Sequence, residues 1–277
     1  MLKTLTPVWT RLSMCAVVFA STLAMARIEP KLSPQEIIQL SSEVNQKDWD
    51  AASEYDYFER KRDGENTKTY NVTMLEGSRY SRLVAIDDKP MSAEDEGKEK
   101  QRFEVEAARR HQEGAKERSE RIGRYQKERD QDRVMMQELT KAFDFTLLEQ
   151  QTLGPHAVYV LKGTPRGDYH PSKRQAKALT GMQGTLWIDR VNFHWVKAEA
   201  VVIRPVWIGG FVARVEPGTR FELEQEPTTE GFWMPSRLSV EAKAKVLLLF
   251  SHNEREDDTY FGYRRSDSRL QIQATSK

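Results

Sequence analysis

An α+β chain, mainly antiparallel β, is the fold class the sequence predicts: a strongly curved sheet or incomplete β-barrel, covered by helices and carrying a long charged helical insertion. Three features predict it. Runs of alternating residues recur from Tyr55 to Arg265 with glycine or proline between them, one amphipathic segment precedes them, and one charge-dense segment, 92–141, interrupts them. Counting the runs gives about ten strands, and a sheet of that size twists and tends to curl.

Before the first element comes a targeting signal. Lys3 and Arg11 precede the apolar run Met14-Cys15-Ala16-Val17-Val18-Phe19-Ala20, which leads into Leu23-Ala24-Met25-Ala26. This is a basic region, a short apolar core and a small-residue cleavage site, so residues 1–26 are expected to be a signal peptide cleaved near Ala26. The run is well short of the roughly 20 apolar residues that a membrane span requires. Cys15 sits inside it, after Met14 rather than after a small residue, which argues against a lipid anchor. The expectation is an exported, periplasmic protein, with 27–277 as a single domain.

Cys15 is the sole cysteine in the sequence, so the mature chain has no disulfide, no cysteine nucleophile and no thiolate metal ligand. Its stability must come from its core, and the length suffices for one. The formal charge of +1 becomes −1 once Lys3 and Arg11 are removed. A balance this even gives no electrostatic case for nucleic acid.

Ser33-Pro34 opens a helix, with proline at the first helical position and Glu36 close behind. Ile37, Ile38, Leu40 and Val44 then fall on one side and require an apolar partner. From Tyr55 the period changes to two. Runs from Tyr55, from Thr67 and from Arg79, joined at Asp63-Gly64 and Glu76-Gly77-Ser78, predict a three-stranded meander with Tyr70, Val72 and Met74 on one face.

The segment 92–141 is dense in Glu, Lys, Arg and Gln, and opposite charges recur at helical spacing, as in Glu99 with Arg102 and Glu117 with Arg121. It is expected to be a solvated helical hairpin bent near Gly114 or Gly123. A sharper reading makes it a protruding arm for an envelope protein partner. Acids match bases along it and no aromatics alternate with the basic residues, so a nucleic-acid role is not expected.

Strands resume around Leu153-Gly154-Pro155, and "SKRQAKALTGM" reads as a short crossing helix ending at Gly181. In "GTLWIDRVNFHWVKAEAVV", 184–202, alternation puts Leu186 and Ile188 on one face, and Val196, Ala198, Ala200 and Val202 on one face of the next strand. Trp187 and Trp195 then become near cross-strand neighbours. A face of alanine and valine leaves volume unless a helix or a ligand fills it.

Catalytic groups are scarce. His111, His156, His170, His194 and His252 lack metal-pair spacing, and no nucleophile elbow or phosphate-binding glycine loop occurs. Asp168-Tyr169-His170 offers an acid–base pair in a polar loop, although adjacent loop residues seldom meet the geometry. No enzyme activity, cofactor or metal is expected, and His194 reads as a structural histidine.

The amphipathic helix, the meander, Leu186-Trp187-Ile188-Asp189 before a turn and Gly231-Phe232-Trp233-Met234-Pro235 opening a later strand resemble the bacterial outer-membrane lipoprotein-sorting superfamily, the LolA-like and RseB-like proteins. The segment 92–141 departs from that pattern. The resemblance implies a LolA-like domain whose covered face accepts acyl chains of lipid or lipoprotein, with transient contact to a membrane surface. Alternation alone supplies the candidate lining: Tyr70, Val72, Met74, Val84, Leu186, Ile188, Val196, Ala198, Val202, Met234, Leu238, Val246, Leu248 and Phe250. Three readings stand: a carrier or binder of acyl chains, a non-catalytic sensor or interaction module acting through the charged segment, and an enzyme using Asp168 and His170.

Overall fold

The computed structural model describes residues 32–173, 175–208, 213–246 and 250–266, so the signal-peptide segment lies outside the described residues. Helix α1 (Pro34–Ala51) starts at a capping box: Glu36 N–H donates to Ser33 Oγ (3.2 Å), and the Glu36 carboxylate accepts from Ser33 N–H (2.8 Å). Both bonds satisfy donors that a helix start leaves unpaired. The buried stripe is Ile37, Ile38, Ser41, Asn45 and Asp48, whereas Leu40 faces solvent. The expected Leu40–Val44 face is therefore corrected by a fraction of a turn, because Asn45 and Asp48 on the stripe find partners at Trp195 and His194.

The meander follows as β1 (Tyr55–Asp63), β2 (Asn66–Leu75) and β3 (Ser78–Ile86), with Gly64 and Gly77 at positive φ in its turns. After β4 (Lys89–Pro90) come α2 (Ala93–His111) and α3 (Ala115–Ala142). The break falls at Gly114, and α3 runs straight through Gly123.

The hairpin does not stand free. Arg110 Nη1 donates to Leu75 O (2.9 Å) and Ser78 O (3.1 Å). Arg121 donates to Glu113 (2.7 Å), Ser78 Oγ (2.7 Å) and Glu76 O (3.0 Å). These two buried guanidiniums bind the hairpin to the β2–β3 turn. At the other end of α3, Met135, Met136 and Leu139 pack on the core, so the last turns of the charged segment are a cover for the sheet. The solvated hairpin expected from the charges is thus correct as to helices and wrong as to docking.

The remaining elements are β5 (Phe143–Leu153), β6 (His156–Pro165), a 3-10 segment (Gln175–Gly181), β7 (Met182–Asp189), β8 (Trp195–Val202), β9 (Val206–Ile208), β10 (Ala213–Val215), β11 (Arg220–Pro227), β12 (Trp233–Val246) and β13 (Phe250–Arg265). All pairings are antiparallel, in the order β4-β3-β2-β1-β13-β12-β11-β8-β7-β6-β5, with the β9–β10 hairpin attached to β12. The last strand lies beside the first, which joins the meander to the rest of the sheet. Edge strands β4 and β5 do not pair with each other, so this curved sheet stays open. Helices α1, α3 and the 3-10 segment cover one face. Among the described residues, no helix is long and apolar enough to cross a membrane.

Candidate functional site

The covered face has two halves of different chemistry. Over β5 to β8 and β11, a core of Ile37 and Ile38 from α1 meets Leu161, Leu186, Ile188 and Trp195. Next to it, Ala142, Phe143, Ala176 and Leu179 seat the 3-10 segment, and Ala178, Val202, Val206 and Val215 continue the packing.

Between these clusters a cavity of ≈ 160 Å³ remains. Its walls come from α3 (Leu139), β5 (Phe143, Phe145), the 3-10 segment (Leu179), β7 (Met182, Leu186), β8 (Trp195, Ala198, Ala200), β11 (Phe221, Leu223) and β12 (Leu238). Ala198 and Ala200 are the reason for the space: their methyl groups stop short of the covering helices. Gly184 brings β7 and β8 close at the wall, since a Cβ there would lie 2.6 Å from Glu199 O.

The orientation of Trp195 depends on a β-bulge. Leu186 faces Ala198 and Trp187 faces Lys197, but Ile188 faces Trp195, so Val196 is the extra residue. The bulge turns Trp195 onto the covered face and sends Val196 to the opposite one, where it packs with Val158, Val160 and Trp233. Two expectations are thereby corrected. Val196 does not line the covered face, and Trp187 and Trp195 are not neighbours; the Lys197 ammonium lies 5.5 Å from the Trp187 ring instead.

The turn before β8 sets this register. Asp189 Oδ1 accepts from Val191 N–H (2.8 Å) and Asn192 N–H (3.1 Å). Its other oxygen contacts His156 Nδ1 at 3.0 Å. His194 Nδ1 lies 2.6 Å from Asp48 Oδ2, and its ring stacks on Trp233 at 5.3 Å. His194 is thus structural, fastening α1 to the start of β8.

Of the remaining lining candidates, Leu186, Ala198 and Leu238 border the cavity, Ile188 is buried in the adjoining core, and Val202 lies beneath the 3-10 segment. Met234 is buried at the start of β12 without bordering the cavity. Val84 is the extra residue of a second bulge, and Leu83 takes the place opposite Tyr70. Val246 and Phe250 pair at the ends of β12 and β13, and Leu248 lies outside the described residues. Sequence reasoning missed Trp195, Phe221, Leu223 and Leu139. Phe221 and Leu223 alternate legibly in "RFELEQEP".

Tyr70, Val72 and Met74 belong to the second half of the face. There Tyr57 lies 6.0 Å from Tyr260 and 5.3 Å from Tyr263, ring to ring, and the Arg79 guanidinium lies 5.9 Å from the Tyr57 ring and 5.6 Å from that of Tyr125. Burial pushes the Tyr57 hydroxyl up to about 12 and also raises those of Tyr260 and Tyr263. Leu238 of the cavity wall faces Asp258 on β13, which faces Lys61 on β1, so the apolar and tyrosine-rich halves form one continuous surface.

The opposite face carries a wider polar depression of ≈ 420 Å³ over Glu222, Arg237 and Arg255. Arg237 pairs there with Asp257 (2.9 Å) and Lys197 with Glu222 (3.1 Å), both across strands. In the polar loop Asp168 is held by Arg166 (3.1 Å), His170 is exposed, and no hydrogen bond joins Asp168 to His170 among the described residues. Nor does any group of His, Cys, Asp or Glu able to hold a metal occur among the described residues.

No family model matches the chain, and no curated protein matches it. Solved structures similar to it include a LolA superfamily protein from Nitrosomonas europaea, at 13% identity over 87% of this chain and 97% of that one, TM-score 0.34. Another is an outer membrane lipoprotein-sorting protein domain from Vibrio parahaemolyticus, at 10% identity over 83% and 94%, TM-score 0.33. The MucA/MucB complex of Pseudomonas aeruginosa is similar at 9% identity over 82% and 99%, TM-score 0.22.

Proposed function

We propose that this protein is a non-catalytic, exported binder or carrier of the acyl chains of lipid or lipoprotein in the bacterial envelope. The observation that carries this reading is the apolar cavity beneath α3 and the 3-10 segment, walled by Leu139, Leu179, Ala198, Phe221 and Leu238. Its volume decides how much hydrocarbon it takes. At ≈ 160 Å³ it matches an engineered apolar cavity of about 150 Å³ that admits benzene, which is roughly six carbons.

Six methylenes at about 0.8 kcal/mol each give about 5 kcal/mol, a dissociation constant in the range of hundreds of micromolar before the costs of association. The closed molecule therefore holds one end of one chain. Carriage of a whole long chain requires the covering elements to move off the sheet. The test is native mass spectrometry of the protein purified from an envelope fraction, with a lipid adduct expected. A bare spectrum together with no uptake of a fluorescent fatty acid contradicts the reading.

A second reading, an interaction module acting through 92–141, is favoured by one observation. Val105 on α2 is 62% exposed on a helix whose other side is docked to the β2–β3 turn. Replacing Val105 with Glu should leave acyl binding intact and abolish capture of any envelope partner.

A further inference from the structure

Where the charged hairpin docks, it encloses a second space. A cavity of ≈ 360 Å³ lies between the middle of α3, the end of α2 and the start of β3. Five arginines line it, Arg79, Arg110, Arg121, Arg124 and Arg129, and Glu128 is the carboxylate at its wall. Helical spacing puts Arg121, Arg124, Glu128 and Arg129 on one side of α3.

Two of the five charges are answered. Arg110 pairs with Glu106 (2.6 Å) and Arg121 with Glu113 (2.7 Å). The other three have no ion pair among the described residues. The Arg79 guanidinium stands over the Tyr57 and Tyr125 rings, and Arg129 donates to Trp49 O and lies 5.3 Å from the Trp49 ring. A ring or a carbonyl attracts a guanidinium without cancelling its charge. Arg124 has no partner among the described residues, although Glu120 and Glu128 lie one turn to either side of it. The hairpin's remaining arginines, Arg102, Arg109, Arg118 and Arg133, each meet a carboxylate. Its unanswered arginines therefore gather at this cavity. Set against Glu128, the three leave a surplus of two positive charges. Arg79 and Arg124 are exposed and Arg129 is half-buried, so the surplus is open to a solute.

We propose that this cavity binds a phosphate monoester. Guanidinium forks match phosphate oxygens, and a nearly doubly charged phosphate balances the surplus where a carboxylate balances half of it. Water takes about 30 Å³ in the liquid, so the space holds a phosphate group and part of what it is esterified to. Arg129 precedes Leu139 by about 15 Å along α3, at 1.5 Å per residue, so this site is separate from the acyl cavity and does not depend on acyl binding.

The test titrates the full chain with inorganic phosphate and with acetate at low ionic strength, where such contacts are least screened, and reads affinity by calorimetry. Saturable one-to-one phosphate binding, about tenfold tighter than acetate, is the expected result. Arg124→Ala removes no internal contact and should weaken phosphate about 3–10-fold at an unchanged melting temperature. Glu128→Gln should tighten it, a gain that loss of fold cannot produce, and Arg102→Ala, outside the cavity, should change nothing. Sedimentation with phosphatidylcholine vesicles, with and without phosphatidic acid, then separates the sources. Pelleting only with phosphatidic acid, lost in Arg124→Ala, assigns a lipid headgroup, and phosphate binding without pelleting assigns a soluble monoester. Absence of saturable phosphate binding, equal binding of acetate, or an affinity that ignores both Arg124→Ala and Glu128→Gln overturns the site.

Discussion

His194 Nδ1 and Asp48 Oδ2 lie 2.6 Å apart, and this contact joins the C-terminal half of α1 to the first residues of β8, beside the bulge that turns Trp195 inward. Both side chains are largely buried, at 13% and 5% exposed. Removing either leaves a polar partner unanswered. Asp48→Ala should destabilise the fold by about 2–3 kcal/mol in urea denaturation. The double variant with His194→Ala should fall short of additivity by about 1–2 kcal/mol. Strict additivity would show that the pair is not coupled.

The charged hairpin depends on Arg121, whose guanidinium reaches Glu113, Ser78 and the carbonyl of Glu76. Arg121→Ala leaves Glu113 with Arg109 as its remaining partner (3.0 Å) and takes the guanidinium from Ser78 and the Glu76 carbonyl, so the urea midpoint should fall. Hydrogen exchange should then rise in α2 and the first half of α3 while the strands stay protected. Arg121→Lys should rescue little, because one ammonium cannot reproduce the forked contacts.

Alkali should open the tyrosine-rich half. Tyr57 is raised to about 12 by burial, and Tyr260 and Tyr263 are raised as well. A folded-state value above the unfolded one contributes stability that is complete below pH ~10 and is lost as pH rises through the folded value. Stability should therefore decline from pH ~10 towards 12, with phenolate absorbance appearing together with unfolding. A full tyrosinate signal near pH ~10 in a still-folded protein would contradict the burial of these rings.

Gly184→Ala probes the wall where β7 and β8 approach. Its Cβ would meet Glu199 O at 2.6 Å, and a backbone atom cannot swing aside. The expected loss is about 1–3 kcal/mol, read as a lowered urea midpoint. A neutral effect would show that the strands can part there.

The strands and their turns were legible because period-two patterning and glycine at Gly64 and Gly77 are local signals. The space at Ala198 and Ala200 was legible too, since small side chains opposite helices leave volume. The face of Val196 was not. Alternation carried across the turn assumes no extra residue, and the bulge depends on how Asp189 caps that turn and on Asp48 holding His194, which is 146 positions away. The docking of 92–141 was hidden for a similar reason. Arg110 and Arg121 look like any solvated arginines until the β2–β3 turn offers them carbonyls. Met135, Met136 and Leu139 at the end of α3 were the visible hint that this segment covers a core.

Ala198→Phe places a ring in the proposed hydrocarbon site without touching the His194–Asp48 contact. Titration of wild type and this variant with a fluorescent acyl probe, alongside their melting temperatures, tests the site most directly. Saturable one-to-one binding by wild type and its loss, by tenfold or more, in a variant that melts no earlier is the expected result. Equal binding by both proteins, or none by wild type, would contradict an acyl site beneath α3.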